Sequence, residues 1–393
     1  MKKKLMAVAV AGAFAAPAVA LAQASTVQIY GTITYEYGIA NQGRATAGDR
    51  PNVDYADTPG GTSIGFRGEE KLGGGLSAWF QCESSADVRA MDQTGFCTRN
   101  SAVGFKGSWG NLHFGRWDTP LKRALGPGSV GGEETGLMGM SFLPWGGSGG
   151  ADATESADEA NRHRWKRREA GLTYYESPVF NGFQVLAAFG SGNFAANSAL
   201  TSGASNQKPR VISLGATYSA GPLGIGLGYE KHNDFNGFSA TAAGDGDDKA
   251  WGISLAYRFG TVEVGGTYLD AKYETGPGLN RKKKTWTLGA DWRIQGPHSI
   301  EAMYAKAGDT KGNDTAGAVI GGNGGISASG SDTGGDAWQL GYTYSFSKRT
   351  RLKLAYTRVD NDRNTTTYRI GNTASVAAGE DSSSYAFRIV HRF

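Results

Sequence analysis

Strict alternation of apolar and polar residues, repeated along almost the whole chain, is the feature that most limits what this sequence can fold into. From Val27 onward, Val27, Ile29, Gly31, Ile33, Tyr35 and Tyr37 share one face, while Gln28, Tyr30, Thr32, Thr34 and Glu36 share the other. A period of two marks a β-strand with one face apolar. Sixteen such segments can be read, at 26–38, 61–69, 75–84, 96–107, 111–118, 165–176, 183–191, 210–219, 223–232, 249–259, 261–272, 284–294, 299–307, 336–346, 351–360 and 383–393. No apolar run after residue 24 approaches the ~18 residues of a membrane-spanning helix. The pattern leaves two solutions, a soluble β-sandwich or a closed barrel.

The connections and the aromatic residues decide between them. Short turns, such as Ser108-Trp109-Gly110 and Gln295-Gly296-Pro297, alternate with long polar stretches at 39–60, 85–95, 192–209, 233–248, 308–335 and 361–382. Short turns at one end, long loops at the other and an even strand number describe an all-β, 16-stranded antiparallel transmembrane β-barrel. Aromatic residues cluster near strand ends on the apolar face, as with Trp251 and Tyr257, Trp286 and Trp292, or Trp338 and Tyr344. Two interfacial girdles of a membrane barrel have that spacing. The 61 glycines, 43 aromatic residues (17 Tyr, 17 Phe, 9 Trp) and mild mean hydropathy suit a barrel with a polar lumen, and the aromatic content argues against disorder.

Residues 1–24 read as an export signal, with Lys2-Lys3-Lys4, an apolar stretch from Leu5 to Ala16, and Ala22-Gln23-Ala24 before the cut. Residues 25–393 would then form the barrel. Removing three of the 40 basic residues and none of the 36 acidic ones leaves the chain near neutral, so nucleic acid is not an expected partner. The last strand, Ser384 to Phe393, carries Tyr385, Phe387, Ile389 and Phe393 on its outer face and must pair with the first, because open edges cannot sit in lipid.

At this point the chain resembles a known family, the trimeric general porins of Gram-negative bacteria, above all their betaproteobacterial branch. The resemblance rests on Thr26-Val27-Gln28-Ile29-Tyr30-Gly31, on Ile64-Gly65-Phe66-Arg67-Gly68-Glu69-Glu70-Lys71-Leu72-Gly73-Gly74-Gly75-Leu76 and on Ala78-Trp79-Phe80-Gln81. Phe114-Gly115-Arg116-Trp117-Asp118-Thr119-Pro120, Tyr175-Glu176-Ser177-Pro178 and the terminal Phe393 extend it over most of the chain. It implies an outer-membrane diffusion channel, a homotrimer set among outer-membrane lipid and lipopolysaccharide, passing small hydrophilic solutes and ions without a cofactor. It also implies that a third loop, here 117–161, bends into the barrel, its acids facing basic residues on the opposite wall.

Glu133 and Glu134, early in that loop and among glycines, are the candidate constriction acids; Asp152, Glu155, Asp158 and Glu159 are harder to place. Parity from Ile64 and Phe66 turns Arg67 inward. With Gly171, Thr173 and Tyr175 outward, as the family match has them, Arg164, Lys166 and Arg168 form an inward ladder. The family pattern also puts Arg116 in the lumen, although strict alternation from Leu112 and Phe114 sends it outward; a bulge would reconcile the two. Thr32 and Ser63 stand where related porins often carry basic residues. Across all strands, eleven basic residues are expected inward against six acidic ones: Glu36, Glu69, Glu83, Glu263, Asp291 and Glu301. That balance predicts a weak preference for anions.

Cys82 ends the third segment and Cys97 begins the fourth, so in antiparallel neighbours the two thiols can lie opposite each other. Export favours a disulfide between them, worth on the order of 3 kcal/mol on the loop-entropy account. Other motifs support little. Gly190-Ser191-Gly192-Asn193-Phe194-Ala195 has no helix after it, Asp245, Asp247 and Asp248 read as a solvated loop tip, and the five histidines lack metal-ligand spacing. His113 and Asp118 have no convincing nucleophile beside them, so no enzyme is expected. A substrate-specific channel of the same fold, for example one for organic anions, is the alternative.

Overall fold

A computed structural model describes residues 27–41, 43–45, 48–49, 52–57, 62–86, 88, 95–131, 165, 168–191, 210–233, 247–316, 326–366, 368, 370 and 377–393. In the first third of the chain the strands are β1 (Gln28–Asn41), β2 (Arg44–Ala45), β3 (Gly48–Asp49), β4 (Val53–Asp57), β5 (Ser63–Gly73), β6 (Leu76–Ser85), β7 (Ser101–Gly107) and β8 (Gly110–Asp118). The middle supplies β9 (Arg168–Glu176), β10 (Phe183–Ser191), β11 (Arg210–Ala220), β12 (Leu223–Asn233), β13 (Asp248–Phe259) and β14 (Val262–Gly276). The last third adds β15 (Leu279–Arg293), β16 (His298–Ala307), β17 (Lys311–Gly312), β18 (Gly335–Ser345), β19 (Thr350–Asn361) and β20 (Ser382–Arg392). Sixteen of these form the barrel. β2 and β3 make a small separate hairpin, while β4 and β17 pair with β1 and β15 as additions to the rim.

Each barrel strand pairs antiparallel with the next, and β1 closes the ring against β20, from Thr32 opposite Arg392 to Asn41 opposite Ser383. The amide of Phe393 donates to Gly31 O at 3.0 Å, carrying the closure to the last residue. With no free edge, the alternation can be satisfied inside out. Leu255, Leu288, Leu340 and Leu354 are exposed on the outside, whereas Thr285, Thr287, Ser254, Ser384 and Gln339 are buried within. A belt of rings runs round the outer face near the long-loop end: Trp251 to Tyr268 at 5.4 Å, Trp286 to Tyr304 at 5.3 Å, Trp338 to Tyr356 at 5.1 Å. Aromatic rings at that level mark the interface between hydrocarbon and headgroups.

Three differences from the sequence reading bear on the site. The hairpin β14–β15 runs on to Gly276 and Leu279, well past 272 and 284, because the polar stretch between still pairs as far as Glu274 opposite Asn280, with a register shift before Gly276 meets Leu279 and Gly278 makes the turn. β7 starts at Ser101, so Cys97 lies in the preceding turn and not on the strand, with φ at 60°. Its sulfur is nonetheless bonded to that of Cys82, with the Cα atoms 4.7 Å apart. Cys82 pairs with Phe66 in register, and Phe66 packs on Phe96, so the disulfide closes a loop on the outer face. The third difference is a short helix, Pro120–Leu125, inside the segment 117–161 expected to be a loop.

Candidate functional site

The lumen is shaped by the chain that leaves β8. Thr119 caps the helix, accepting from the Lys122 amide, and Pro120 supplies the fixed φ that suits a first helical position. Leu121, Ala124 and Leu125, spaced three and four apart, then fall on one buried face. That face lies against the inner side of β11, β12 and β13. The Leu121 amide donates to Ser213 Oγ at 3.1 Å, and the Ser254 hydroxyl donates to Ala124 O at 2.8 Å.

The wall beneath the helix is paved with glycine. Gly215, Gly228 and Gly252 are direct cross-strand neighbours, and Gly265 and Gly289 form a second pair further on. A Cβ on Gly215 would stand 2.7 Å from Pro120 O, and one on Gly228 would stand 2.7 Å from Leu121 Cδ1. At Gly226 and Gly289 an added carbon would fall inside the carbonyl oxygens of Ala124 and Val130. The loop therefore packs backbone to backbone. It crosses to β15, where Gly131 lies against the backbone of Gly289 and Ala290. Trp165 returns to the same wall, buried, with its indole donating to Tyr273 OH at 2.7 Å and stacked on His232 at 4.7 Å.

The base of the loop is fastened by charge. Asp118 accepts from Lys122 Nζ at 2.7 Å and from Asn100 Nδ2 at 3.0 Å, and lies 3.2 Å from Arg168 Nε, which also donates to Asn100 Oδ1. Arg123 points back from the helix to an ion pair with Glu176 and to Tyr174 OH. Lys122 and Arg123 were not among the charges picked from the sequence. The Thr-Pro start of a helix with leucine at the second position was the available signal for them.

Across the lumen the wall is made of side chains in ion pairs. Glu36 and Arg388, register partners on β1 and β20, are both buried and 2.6 Å apart. Glu301 on β16 reaches across β18 to Lys353 at 2.8 Å. Glu83 accepts from Arg99 at 2.7 Å and from Tyr30 OH at 3.2 Å. Glu69 pairs with Lys106 at 2.6 Å, and on the loop-bearing side, between β14 and β13, Glu263 pairs with Arg258. Five of the six acids expected to face inward therefore have basic partners. Arg99, the partner of Glu83, comes from the turn before β7 and was missed because that turn was read as strand.

The remaining sequence candidates divide as follows. Arg67 is exposed, donates from Nε to Gln28 Oε1 at 2.9 Å, lies 5.0 Å over the Tyr30 ring and has no carboxylate partner among the described residues. Arg168 is 5% exposed and matched to Asp118. A register shift between Gly115 and Trp117 breaks the alternation at Arg116, whose side chain is half-buried. Glu133, Glu134, Arg164 and Lys166 lie outside the described residues.

Above this level two further segments cover the inner wall. Tyr368 and Ile370, between β19 and β20, are buried against Met303, Ala305, Ala307, Ala337 and Val359. Burial holds the Tyr368 phenol well above its usual value. Arg281 donates to Asp314 Oδ2 at 2.7 Å and Lys283 donates to Thr333 O at 3.0 Å, holding the segment after β16 over the mouth.

A closed sixteen-strand barrel, apolar outside and ionic inside, with a loop laid along the inner wall, defines a membrane channel. The comparisons say which. The family model for the Gram-negative porin matches residues 7–364, and the chain belongs to that family. It is 28% identical over 403 residues, all of both chains, to outer membrane porin protein 32 of Delftia acidovorans. An outer membrane porin protein of Bordetella pertussis is 28% identical over 90% of this chain and 92% of its own length. Among solved structures, an anion-selective porin from Comamonas acidovorans superposes with a TM-score of 0.69 at 23% identity, covering 94% of this chain and 100% of that one. The protein is an outer-membrane diffusion porin of a Gram-negative bacterium.

Proposed function

We propose that the channel passes small hydrophilic solutes and ions passively, as a homotrimer, with a weak preference for anions. The observation that carries the preference is an asymmetry on the wall opposite the loop. The acids there are matched by neighbouring bases, while Arg67 has no carboxylate partner among the described residues. A low-dielectric wall makes one such charge felt across a narrow lumen. The eleven-to-six excess counted along the sequence is thus reduced to a few unmatched charges, which supports a weak preference and not a strong one. Glu133 and Glu134 would face Arg67 and Arg116 across the constriction, with Arg164 and Lys166 entering from the start of the sixth barrel strand. Arg168 holds the loop base to Asp118 in the same reading.

The trimer is supported by the family resemblance and by the disulfide-closed loop, which presents Phe96, 72% exposed, on the outer face. Residues 1–24 are the proposed export signal, and no catalytic role is assigned to any residue. Reversal potentials of the purified protein in a potassium chloride gradient test the selectivity. Anion preference, reduced in Arg67→Gln, is the expected result, and clear cation selectivity of the native channel overturns it.

One observation favours a second reading, a channel with affinity for planar organic anions. Trp79, His113, Trp117 and Tyr174 form a ring cluster on the inner face of β6, β8 and β9, with centroids 4.7–5.8 Å apart and Arg123 over Tyr174. Saturable block of the current by an aromatic carboxylate would favour it over the general channel.

A further inference from the structure

Two buried cations stand side by side on the inner face of β15, above the constriction, and only one of them has a counter-charge. Arg281 is 2% exposed and donates to Asp314 Oδ2 at 2.7 Å. Lys283, two residues on and equally buried, has no carboxylate within ion-pair distance among the described residues. Its Nζ donates to Thr310 Oγ1 at 3.2 Å and to Thr333 O at 3.0 Å, and lies 5.5 Å from the centre of the Tyr368 ring. Two acceptors suit the two N–H groups of an uncharged amine. The third proton of an ammonium would find only the ring face, in a site where an unpaired charge is costly.

The three partners belong to three separate stretches. Thr310 follows β16, Thr333 precedes β18, and Tyr368 lies between β19 and β20. The first two are clasped to each other: the Thr310 amide donates to Thr333 Oγ1 at 2.8 Å, and the Thr333 amide donates to Asp309 Oδ1 at 2.9 Å. From this clasp the chain reaches the constriction. Arg281 Nη1 donates to Ile326 O at 2.8 Å, and Ile326 is buried in one apolar cluster with Leu121 and Leu125 of the helix, Trp165 and Tyr273. Tyr368 belongs to a second cluster, with Met303, Ala305, Ala337 and Val359. Lys283 therefore joins the two clusters, and 309–316 with 326–334 form a strap that rests on the constriction loop.

The groups facing Lys283 are Arg281 on its own strand, Tyr273 on β14, Lys306 and Asp309 on and after β16, and Asp362 and Tyr368 after β19. Most are already engaged: Arg281 with Asp314, Lys306 with Asp336 and Asp362, and Asp309 with the Thr333 amide. We infer that Lys283 is a positioning residue for the constriction loop: as an uncharged amine it seats the strap that holds the helix and Trp165 to the wall, and on taking up a proton it loosens the strap and frees the loop to enter the lumen. Lys283 stands three residues beyond Trp286 of the aromatic belt, clear of the hydrocarbon. Burial pushes its ammonium down from 10.5 to about 7, against the pull of Asp309 and Asp362. With the strap lifted into water, the lysine keeps its proton up to the ordinary value. Between those two limits lifting takes up a proton, so seating strengthens as pH rises, by about tenfold per unit. Below the lower limit both states are protonated and the dependence on this group ends. Tyr368, held well above its usual value, stays neutral throughout.

The test uses the purified full-length protein between about pH 7 and about pH 10, the window in which seating depends on one proton. Two readouts are taken: hydrogen exchange of 309–316 and 326–334, corrected for the intrinsic effect of pH, and brief closures of single channels in planar bilayers. In the native protein protection should rise with pH by up to about tenfold per unit, and closures should become rarer. Lys283→Arg keeps its charge across the window, so its profile should be flat, with weak protection and frequent closures throughout. Lys283→Met has no proton to take up and should also give a flat profile. A flat native profile overturns the inference, and so does a native slope retained in either variant, which would assign the titration to another group. Exchange in β11 to β13 reports whether a variant has folded, and the native profile decides the sign even if neither does.

Discussion

The two halves of the inner wall are built on opposite principles. Directly beneath the helix and the turn after it, glycines of β11 to β15 leave the wall without side chains, and what holds the chain there is close backbone approach plus the hydroxyls of Ser213 and Ser254. Facing it, on β1, β5, β6, β19 and β20, the wall is made of long charged side chains that meet in pairs. The first half tolerates no added atom because there is no space. The second tolerates no lost partner, because a buried charge left alone is far costlier than the pair it came from. A porin needs both: one surface to receive a loop at a set depth, and one to present charge to what passes.

Three substitutions bear on that contrast, in decreasing order of expected effect. Breaking one ion pair should cost most. Arg388→Met leaves the buried Glu36 carboxylate without its arginine, a loss of about 3–5 kcal/mol, whereas the double variant Glu36→Gln/Arg388→Met should recover most of it. Urea unfolding in detergent measures both, and equal stability of single and double variants would show that the pair is not what holds this wall. Next comes Gly226→Val under the loop. Overpacking of this kind costs about 1–3 kcal/mol, and the helix should be pushed into the lumen, lowering single-channel conductance. Native conductance would mean the loop does not need the glycine floor. The smallest effect is expected for Arg67→Gln, which removes an exposed charge. Stability should hardly change, while the reversal potential shifts towards cations; a change in stability without a shift would make Arg67 a structural residue.

Much of the fold was legible before any coordinates. Alternation between two faces is a local property, and the barrel strands, their outward residues and the closing role of the last strand all follow from it. The helix at Pro120 has a signal in Thr119-Pro120 and in the spacing of Leu121, Ala124 and Leu125, but at six residues it is too short to establish a helical period among the surrounding glycines and charges. The site was less legible. Glu83 counted as an inward acid, yet its partner Arg99 lies in a turn whose conformation no periodicity describes. The run Asn280-Arg281-Lys282-Lys283-Lys284 looked like loop and strand start. As part of an extended strand it splits by parity, with Arg281 and Lys283 supporting a loop inside and Lys282 and Lys284 facing outward.

By itself, the sequence determined which residues face lipid and which face the lumen, how many times the chain crosses, and that two cysteines flank one loop. These are consequences of a two-residue period and of position along one chain. The tertiary structure alone decided which charges cancel, because Glu36 meets Arg388, more than three hundred residues away, only through the register of the closing strands. It alone decided where the loop lies, since Gly215, Gly228 and Gly252 become a floor only when three strands set them side by side. Register is a non-local quantity, and both the charge left in the lumen and the depth of the loop depend on it.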